Sequence, residues 1–173
     1  RPIGSVQQDT PHAPNAVNTW IMTGNNKGTY NANTTFQAIN SLIGGTGVNS
    51  LKGPDASNRW IATGNQAGTI NAITFTGMDN LIGGALDDTL VGTNATNTWT
   101  INGNNKGTLG WSTNTLTFSK INNLLGGTGA DTFTFTGAYQ LDGTRGIDGF
   151  KGTNVIVGSN NDTDWTLDLN DQG

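Results

Sequence analysis

Apolar residues along the chain fall in short clusters about ten residues apart, separated by Gly, Asn, Thr and Asp. In one stretch the clusters are Trp60-Ile61, Ile70 to Phe75, Leu81-Ile82 and Leu90-Val91. Between them stand turn-forming runs such as Gly64-Asn65-Gln66-Ala67-Gly68, Thr76-Gly77, Gly83-Gly84 and Gly92-Thr93-Asn94. β-Branched and aromatic clusters set between such residues predict short strands, and no 3.6-residue period marks a helix.

The clusters belong to a repeat. Thr19-Trp20-Ile21-Met22-Thr23-Gly24-Asn25-Asn26-Lys27-Gly28-Thr29 returns as Arg59-Trp60-Ile61-Ala62-Thr63-Gly64-Asn65-Gln66-Ala67-Gly68-Thr69. It returns again as Thr98-Trp99-Thr100-Ile101-Asn102-Gly103-Asn104-Asn105-Lys106-Gly107-Thr108, with Trp-to-Trp spacings of 40 and 39 residues. A second block follows each copy: Phe36, Ile39, Leu42, Ile43; Phe75, Met78, Leu81, Ile82; Phe118, Ile121, Leu124, Leu125; each ends on a Gly-Gly pair. The third repeat carries an insert of about four residues around Trp111, and beyond Gly137 the pattern degenerates until Trp165 restarts it. Repeats are expected over residues 15–54, 55–94 and 95–137, with a capping segment over 138–173 and a polar arm over 1–14.

Repeated turns as well as repeated strands favour an all-β parallel β-helix, or β-solenoid, over a sandwich or closed barrel, because stacked turns touch copies of themselves. The expected coil is about 20 residues, two per repeat, with like residues stacked about 4.8 Å apart. One wide coil per repeat is the alternative.

Composition sharpens this picture. Gly 26, Thr 28 and Asn 24 together make 45% of 173 residues, and all 12 acidic residues are Asp, so helix formers are scarce. The eight Lys and Arg are scattered, and the pI is near 4.5, so no nucleic-acid partner is expected. No stretch approaches 18 apolar residues, so no membrane insertion by a helix is expected. With no Cys and a single His, His12 in the polar arm, thiol and Ser-His-Asp chemistry have nowhere to sit; His12 reads as an exposed tail residue. Beginning on Arg1, the chain is expected to be processed or an excerpt.

Candidate chemistry sits in the Gly-Gly segments. Residues 126–134 fit the nonapeptide G-G-x-G-x-D-x-U-x in full. In such turns inward carbonyls and the Asp carboxylate form an oxygen cage for Ca²⁺. The second copy keeps Asp88 but places Leu86 at the third Gly, and the first has Asn49 in place of the carboxylate. Two readings stand: a Gly turn feeding a strand, or calcium held by Asp131 and Asp88. Asn160-Asn161-Asp162-Thr163-Asp164 reads as a solvated turn. Asp87-Asp88 do not read as a catalytic pair, because adjacent strand residues point to opposite faces. Trp20, Trp60, Trp99 and Trp165 read as core aromatics, whereas Trp111, out of register, is the expected exposed aromatic and ligand residue. The Thr-x-Thr pairs read as solvent-facing strand positions.

Taken together, Trp-x-x-x-Gly-Asn-x-x-Gly-Thr followed by the Phe…Leu-Ile-Gly-Gly block resembles repeats of filamentous-haemagglutinin-like adhesins and of haemolysin-type calcium-repeat surface proteins of bacteria. The resemblance spans roughly residues 15–137 and implies a secreted, cell-surface location and an adhesive or matrix role. The expected function is a non-catalytic structural or adhesive solenoid that forms homo-oligomers or fibres through its ends and arm. The alternative is a calcium-dependent module binding surface glycans.

Overall fold

Alternation in the Trp segments is regular: Trp20 and Met22, Trp60 and Ala62, and Trp99 and Ile101 are buried, each pair flanking a half-buried residue. The Gly-Asn-Asn or Gly-Asn-Gln turn that follows puts Asn26, Gln66 and Asn105 at φ 56°, 49° and 52° and reverses the chain. A third strand returns, so each repeat opens with an antiparallel meander. In the computed structural model, which describes residues 10–160, the meanders are β1 (Asn18–Gly24), β2 (Lys27–Tyr30) and β3 (Thr34–Gln37), and β6 (Arg59–Gly64), β7 (Ala67–Ile70) and β8 (Ile73–Thr76); the third is β11 (Thr98–Gly103), β12 (Lys106–Trp111) and β13 (Asn114–Ser119). Two single strands follow each: β4 (Ser41–Ile43) and β5 (Asn49–Lys52), β9 (Asn80–Ile82) and β10 (Thr89–Val91), β14 (Asn123–Gly127) and β15 (Thr132–Phe135). Strands β16 (Ile147–Phe150) and β17 (Val155–Val157) complete the set, and the described residues contain no helix. The chain is all-β.

Two sheets result. The larger has ten strands in the order β17-β15-β11-β12-β13-β9-β5-β1-β2-β3, and the smaller has seven, β16-β14-β10-β6-β7-β8-β4. The chain changes sheet after every meander and every single strand. A repeat therefore makes three passes between two sheets, and this odd number throws successive meanders onto opposite sheets. Pairs within a meander are antiparallel; pairs between passes are parallel, as in β1–β5, β5–β9 and β6–β10.

This pairing is mixed, where uniformly parallel strands were expected. Same-sheet partners also lie farther apart than the expected 20 residues: Asn18 meets Asn49 31 residues on, and Asn97 meets Asp131 34 residues on. Only beyond the third meander does the interval fall to 23, between Asp131 and Asn154. The physical reason is the cluster from Ile70 to Phe75. It does not form one more pass but folds back on itself, Ile70 opposite Ile73, as the second bend of a meander.

Both sheets contribute to one buried cluster. Trp20, Trp60 and Trp99 each meet the Phe of their own third strand edge-on, with ring centroids 5.8, 6.2 and 6.1 Å apart. Trp99 also stacks on Phe133 at 5.6 Å. The three indole Nε1 atoms are buried without a hydrogen-bond partner, a cost of about 1–3 kcal/mol each that the large apolar burial must offset.

One expectation about exposure changes. Trp111 is only 8% exposed and belongs to the core. The insert lengthens β12 and β13 to six residues each, against four in β7 and β8, so Trp111 continues the inward series Gly107, Leu109 rather than leaving it. The polar arm is partly engaged: Ala13 N donates to Ile43 O at 2.9 Å and Ile43 N to Pro11 O at 3.2 Å, so residues 11–13 lie along β4 while the His12 side chain is exposed. Trp165, Asp162 and Asp164 lie outside the described residues.

Close approach under the tryptophans fixes one glycine. A Cβ on Gly92 would fall 2.3 Å from Gly126 O and 2.9 Å from the Trp99 ring, whereas one on Gly64 would meet nothing nearer than 3.8 Å. Gly92→Ala is therefore expected to lower stability by about 1–3 kcal/mol, and Gly64→Ala to change it by less than about 0.5 kcal/mol. Urea denaturation of both variants checks the contrast.

Candidate functional site

The chemistry-bearing side chains of this fold gather where passes begin. Two residues before the inward Trp, Leu or Phe of a pass, on the same face of the strand, stands an amide or a carboxylate: Asn18, Asn49, Asn58, Asp88, Asn97 and Asp131, all buried. A buried polar side chain must find partners, and these do so in two directions.

Backward, the amide nitrogen staples the turn just traversed. Asn18 Nδ2 donates to Pro14 O and Ala16 O at 2.9 and 2.7 Å, and Asn58 Nδ2 to Pro54 O and Ala56 O at 2.9 and 2.7 Å. Asn97 Nδ2 reaches Thr93 O and Ala95 O, both at 2.9 Å, and Asn49 Nδ2 reaches Gly47 O at 2.6 Å and Gly45 O at 3.3 Å. One side chain thus satisfies two turn carbonyls that point inward.

Sideways, each of these residues bonds to its neighbour in the same sheet. Asn18 Nδ2 donates to Asn49 Oδ1 at 2.8 Å, and Asn49 N to Asp79 Oδ2 at 2.8 Å. Asn58 N and Nδ2 both donate to Asp88 Oδ1, at 2.9 and 2.6 Å, and Asp88 N donates to Asn122 Oδ1 at 3.0 Å. Asn97 N and Nδ2 donate to Asp131 Oδ1 at 2.9 and 2.6 Å, and Asp131 N to Asn154 Oδ1 at 2.9 Å. Three ladders result, two in the ten-stranded sheet and one in the seven-stranded sheet.

No protein-family model, curated protein or solved structure matches the chain. The site is therefore read from its own geometry.

Calcium takes six to eight oxygen ligands and no N–H donors. Both oxygens of Asp88 already accept hydrogen bonds, Oδ1 from Asn58 and Oδ2 from Gly84 N at 2.7 Å. Asp131 differs: Oδ1 accepts from Asn97, but Oδ2 is buried with no hydrogen-bond partner. Among the described residues no three His, Asp or Glu side chains are grouped to hold a metal. The two predicted metal residues are not brought together; they sit in different sheets and different ladders.

Asp87 and Asp88 diverge. Burial pushes the Asp88 carboxyl above its ordinary value, against the pull of the Asn58 and Gly84 hydrogen bonds, and the Asp87 charge adds to the rise. For Asp87 the burial penalty is outweighed by Thr144, whose Oγ1 and N donate at 2.7 and 3.2 Å, and by Asn123, so its carboxyl lies below the ordinary value.

Sequence reasoning placed weight on the two Asp and missed the Asn residues that fill the same slot. The signal was present: an Asn precedes each of Trp20, Trp60 and Trp99 by two residues.

A Cβ on Gly126 would lie 2.3 Å from Asp131 Oδ2, and one on Gly92 3.0 Å from Asn97 Nδ2, so Asp131 sets an oxygen where its neighbour sets a donor. Asp131→Asn is expected to raise stability by about 1 kcal/mol by supplying that donor, and Asn97→Ala to lower it by about 2–4 kcal/mol by stranding several partners; thermal and urea unfolding read both. Thr144→Val is expected to act only above acid pH. A carboxyl held below 3.8 contributes stability that is present above 3.8 and lost as pH falls through the lowered value. The gap between wild type and Thr144→Val should therefore close on acidification, while the Asp88 contribution has the opposite sign and fades as pH rises. Melting temperatures recorded across the acid range test the sign.

Proposed function

We propose that the chain is a non-catalytic, extracellular structural and adhesive element built as a two-sheet β-solenoid. In this reading the winding between sheets is a coil of two passes, and each repeat of three passes makes one and a half coils. The observation that carries it is the fate of the buried polar side chains. Asn18, Asn49, Asn58, Asn97 and Asp88 spend their hydrogen bonds on turns and on one another. Such groups hold a stack in register. One surface hollow, of about 330 Å³, is lined mainly by small polar residues: Thr10, Asn40, Ser41, Ala72 and Thr74. The likeness of the repeats to those of secreted bacterial adhesins supports the location and role, and the scattered basic residues favour neither nucleic acid nor a charged membrane as partner.

A second reading, the calcium-dependent glycan-binding module, draws on the unpartnered Oδ2 of Asp131. The buried Trp111 does not serve it; among the described residues the exposed aromatic side chains are Tyr139 and Phe150.

The test is surface display of the chain on a non-adherent cell. The structural-adhesive reading expects more cells retained on glycan-coated or abiotic surfaces than with empty display, and the same retention in the presence of a chelator. Retention no better than the control, or release of soluble sugar from the coated surface, sinks it. Loss of retention with chelator, together with a calcium-dependent rise in melting temperature that Asp131→Asn abolishes, would transfer the function to the second reading.

A further inference from the structure

Every meander inside the chain that follows another repeat receives a single strand on the outer side of its third strand. Strand β4 lies beside β8 with Leu42 opposite Phe75, and β9 lies beside β13 with Leu81 opposite Phe118. The two joints share their hydrogen bonds. Thr74 donates from N and Oγ1 to Asn40 O at 3.0 and 3.3 Å, and Thr117 from N and Oγ1 to Asp79 O at 3.0 and 3.2 Å. At the other end of each joint, Gly44 N donates to Thr76 O and Gly83 N to Ser119 O, both at 2.9 Å.

The first meander has the same acceptor surface. Thr35-Phe36 stands in the place of Thr74-Phe75 and Thr117-Phe118, yet among the described residues β3 is the last strand of its sheet. The opposite edge of that sheet is β17, and its sequence Asn154-Val155-Ile156-Val157-Gly158 follows the pattern of Asn40-Ser41-Leu42-Ile43-Gly44 and Asp79-Asn80-Leu81-Ile82-Gly83. Its apolar side chains differ in one respect. Val155, Ile156 and Val157 are 48%, 45% and 41% exposed, whereas Leu42 and Leu81 are 0% and 1%. Direction also agrees: parallel pairings between passes, and two antiparallel steps across each meander, leave β3 and β17 pointing the same way. The neighbouring edge is different, since residues 11–13 of the same chain already lie along β4.

From this we infer that β17 of one copy adds to β3 of a second copy, continuing the ten-stranded sheet from molecule to molecule. The joint repeats the internal one: Val155 opposite Thr35, Ile156 opposite Phe36, Val157 opposite Gln37. Thr35 N and Oγ1 donate to Asn154 O, and Gly158 N donates to Gln37 O. An exposed apolar edge strand is a template for such pairing, and a contact between two different surfaces of one molecule does not close on itself, so it propagates as a filament. The inference rests on the structural reading above and names its partner, a second copy of this chain.

The chain has no cysteine, so a pair introduced in separate copies reports the joint alone. Paired strands lie about 4.8 Å apart, within reach of a disulfide. Thr35→Cys protein mixed with Val155→Cys protein and oxidised should yield a covalent dimer that neither variant forms by itself. The doubly substituted chain should yield a ladder of higher species on a non-reducing gel. Ile156→Lys, at a position exposed in the single molecule, should abolish the concentration-dependent rise in mass seen by sedimentation and leave the melting temperature of the dilute protein unchanged. Absence of the mixed dimer overturns the inference, as does a monomer at every concentration. So does cross-linking of Thr35→Cys to a cysteine placed in residues 1–9, or of Val155→Cys to one in 161–173, within one molecule. Display-based adhesion separates the two claims: retention that survives in a strictly monomeric protein sinks the joint alone, and lost retention with an intact mixed dimer sinks the adhesive role alone.

Discussion

The structure depends on the amides and carboxylates buried at the starts of six of its passes, Asn18, Asn49, Asn58, Asp88, Asn97 and Asp131. Turns between sheets point backbone carbonyls inward, and a buried carbonyl without a donor costs about 1–3 kcal/mol. An Asn two residues before the inward apolar side chain answers two of these at once, as Asn58 does for Pro54 and Ala56. Its backbone N–H then donates to the next residue of the ladder rather than to solvent. The fold can tolerate few apolar residues because its turns are held from within by side chains of the chain itself.

The same slot treats the two buried acids differently. At Asp88 the carboxylate is a double acceptor, with Asn58 on one oxygen and Gly84 on the other, so a carboxylate suits the site even though burial raises its pKa. At Asp131 the second oxygen finds nothing. The difference lies in the turn that precedes each residue, Gly84-Ala85-Leu86-Asp87 in one and Gly127-Thr128-Gly129-Ala130 in the other. Gly127 has φ 129°, while Gly84 has no such left-handed conformation, and in that second turn no N–H comes back to the carboxylate. The turn that best matches the calcium-repeat pattern in sequence is thus the one whose carboxylate is left incompletely used.

Much of this was legible in the chain. Strand identity, the all-β class, the repeat of about 39 residues and the buried state of Trp20, Trp60 and Trp99 follow from alternation and turn chemistry, which are local. Pass count was not legible, because the cluster from Ile70 to Phe75 has the same composition whether it crosses to the other sheet or bends back within one. Only the strand pairing decides: Ile70 meets Ile73 within the cluster itself, while Phe75 meets Leu42 of β4 on its outer side. Trp111 was misplaced for a related reason: an insert reads as a loop, yet four residues shared between two paired strands keep the inward alternation intact. The Asn ladders were readable at Trp minus two, but Asn is so common in this sequence that its spacing stood out less than two buried Asp.

The two ends of the ladder system are finished differently, and this bears on why one sheet edge is open while its buried polar groups are not. Among the described residues Asn18 is the first of its ladder, and its Oδ1 accepts from side chains of its own meander, Tyr30 and Asn31. In the second and third meanders the residue opposite the Trp is Ile70 or Leu109; in the first it is Tyr30. The Tyr30 hydroxyl donates to Asn18 Oδ1 at 2.5 Å while its ring packs on Trp20, with centroids 4.6 Å apart. A single substitution within the repeat therefore caps the buried ladder at the N-terminal end without adding a strand. Side chains alone thus finish the Asn18 end of the ladder, and what β3 lacks among the described residues is a backbone partner, which another strand supplies.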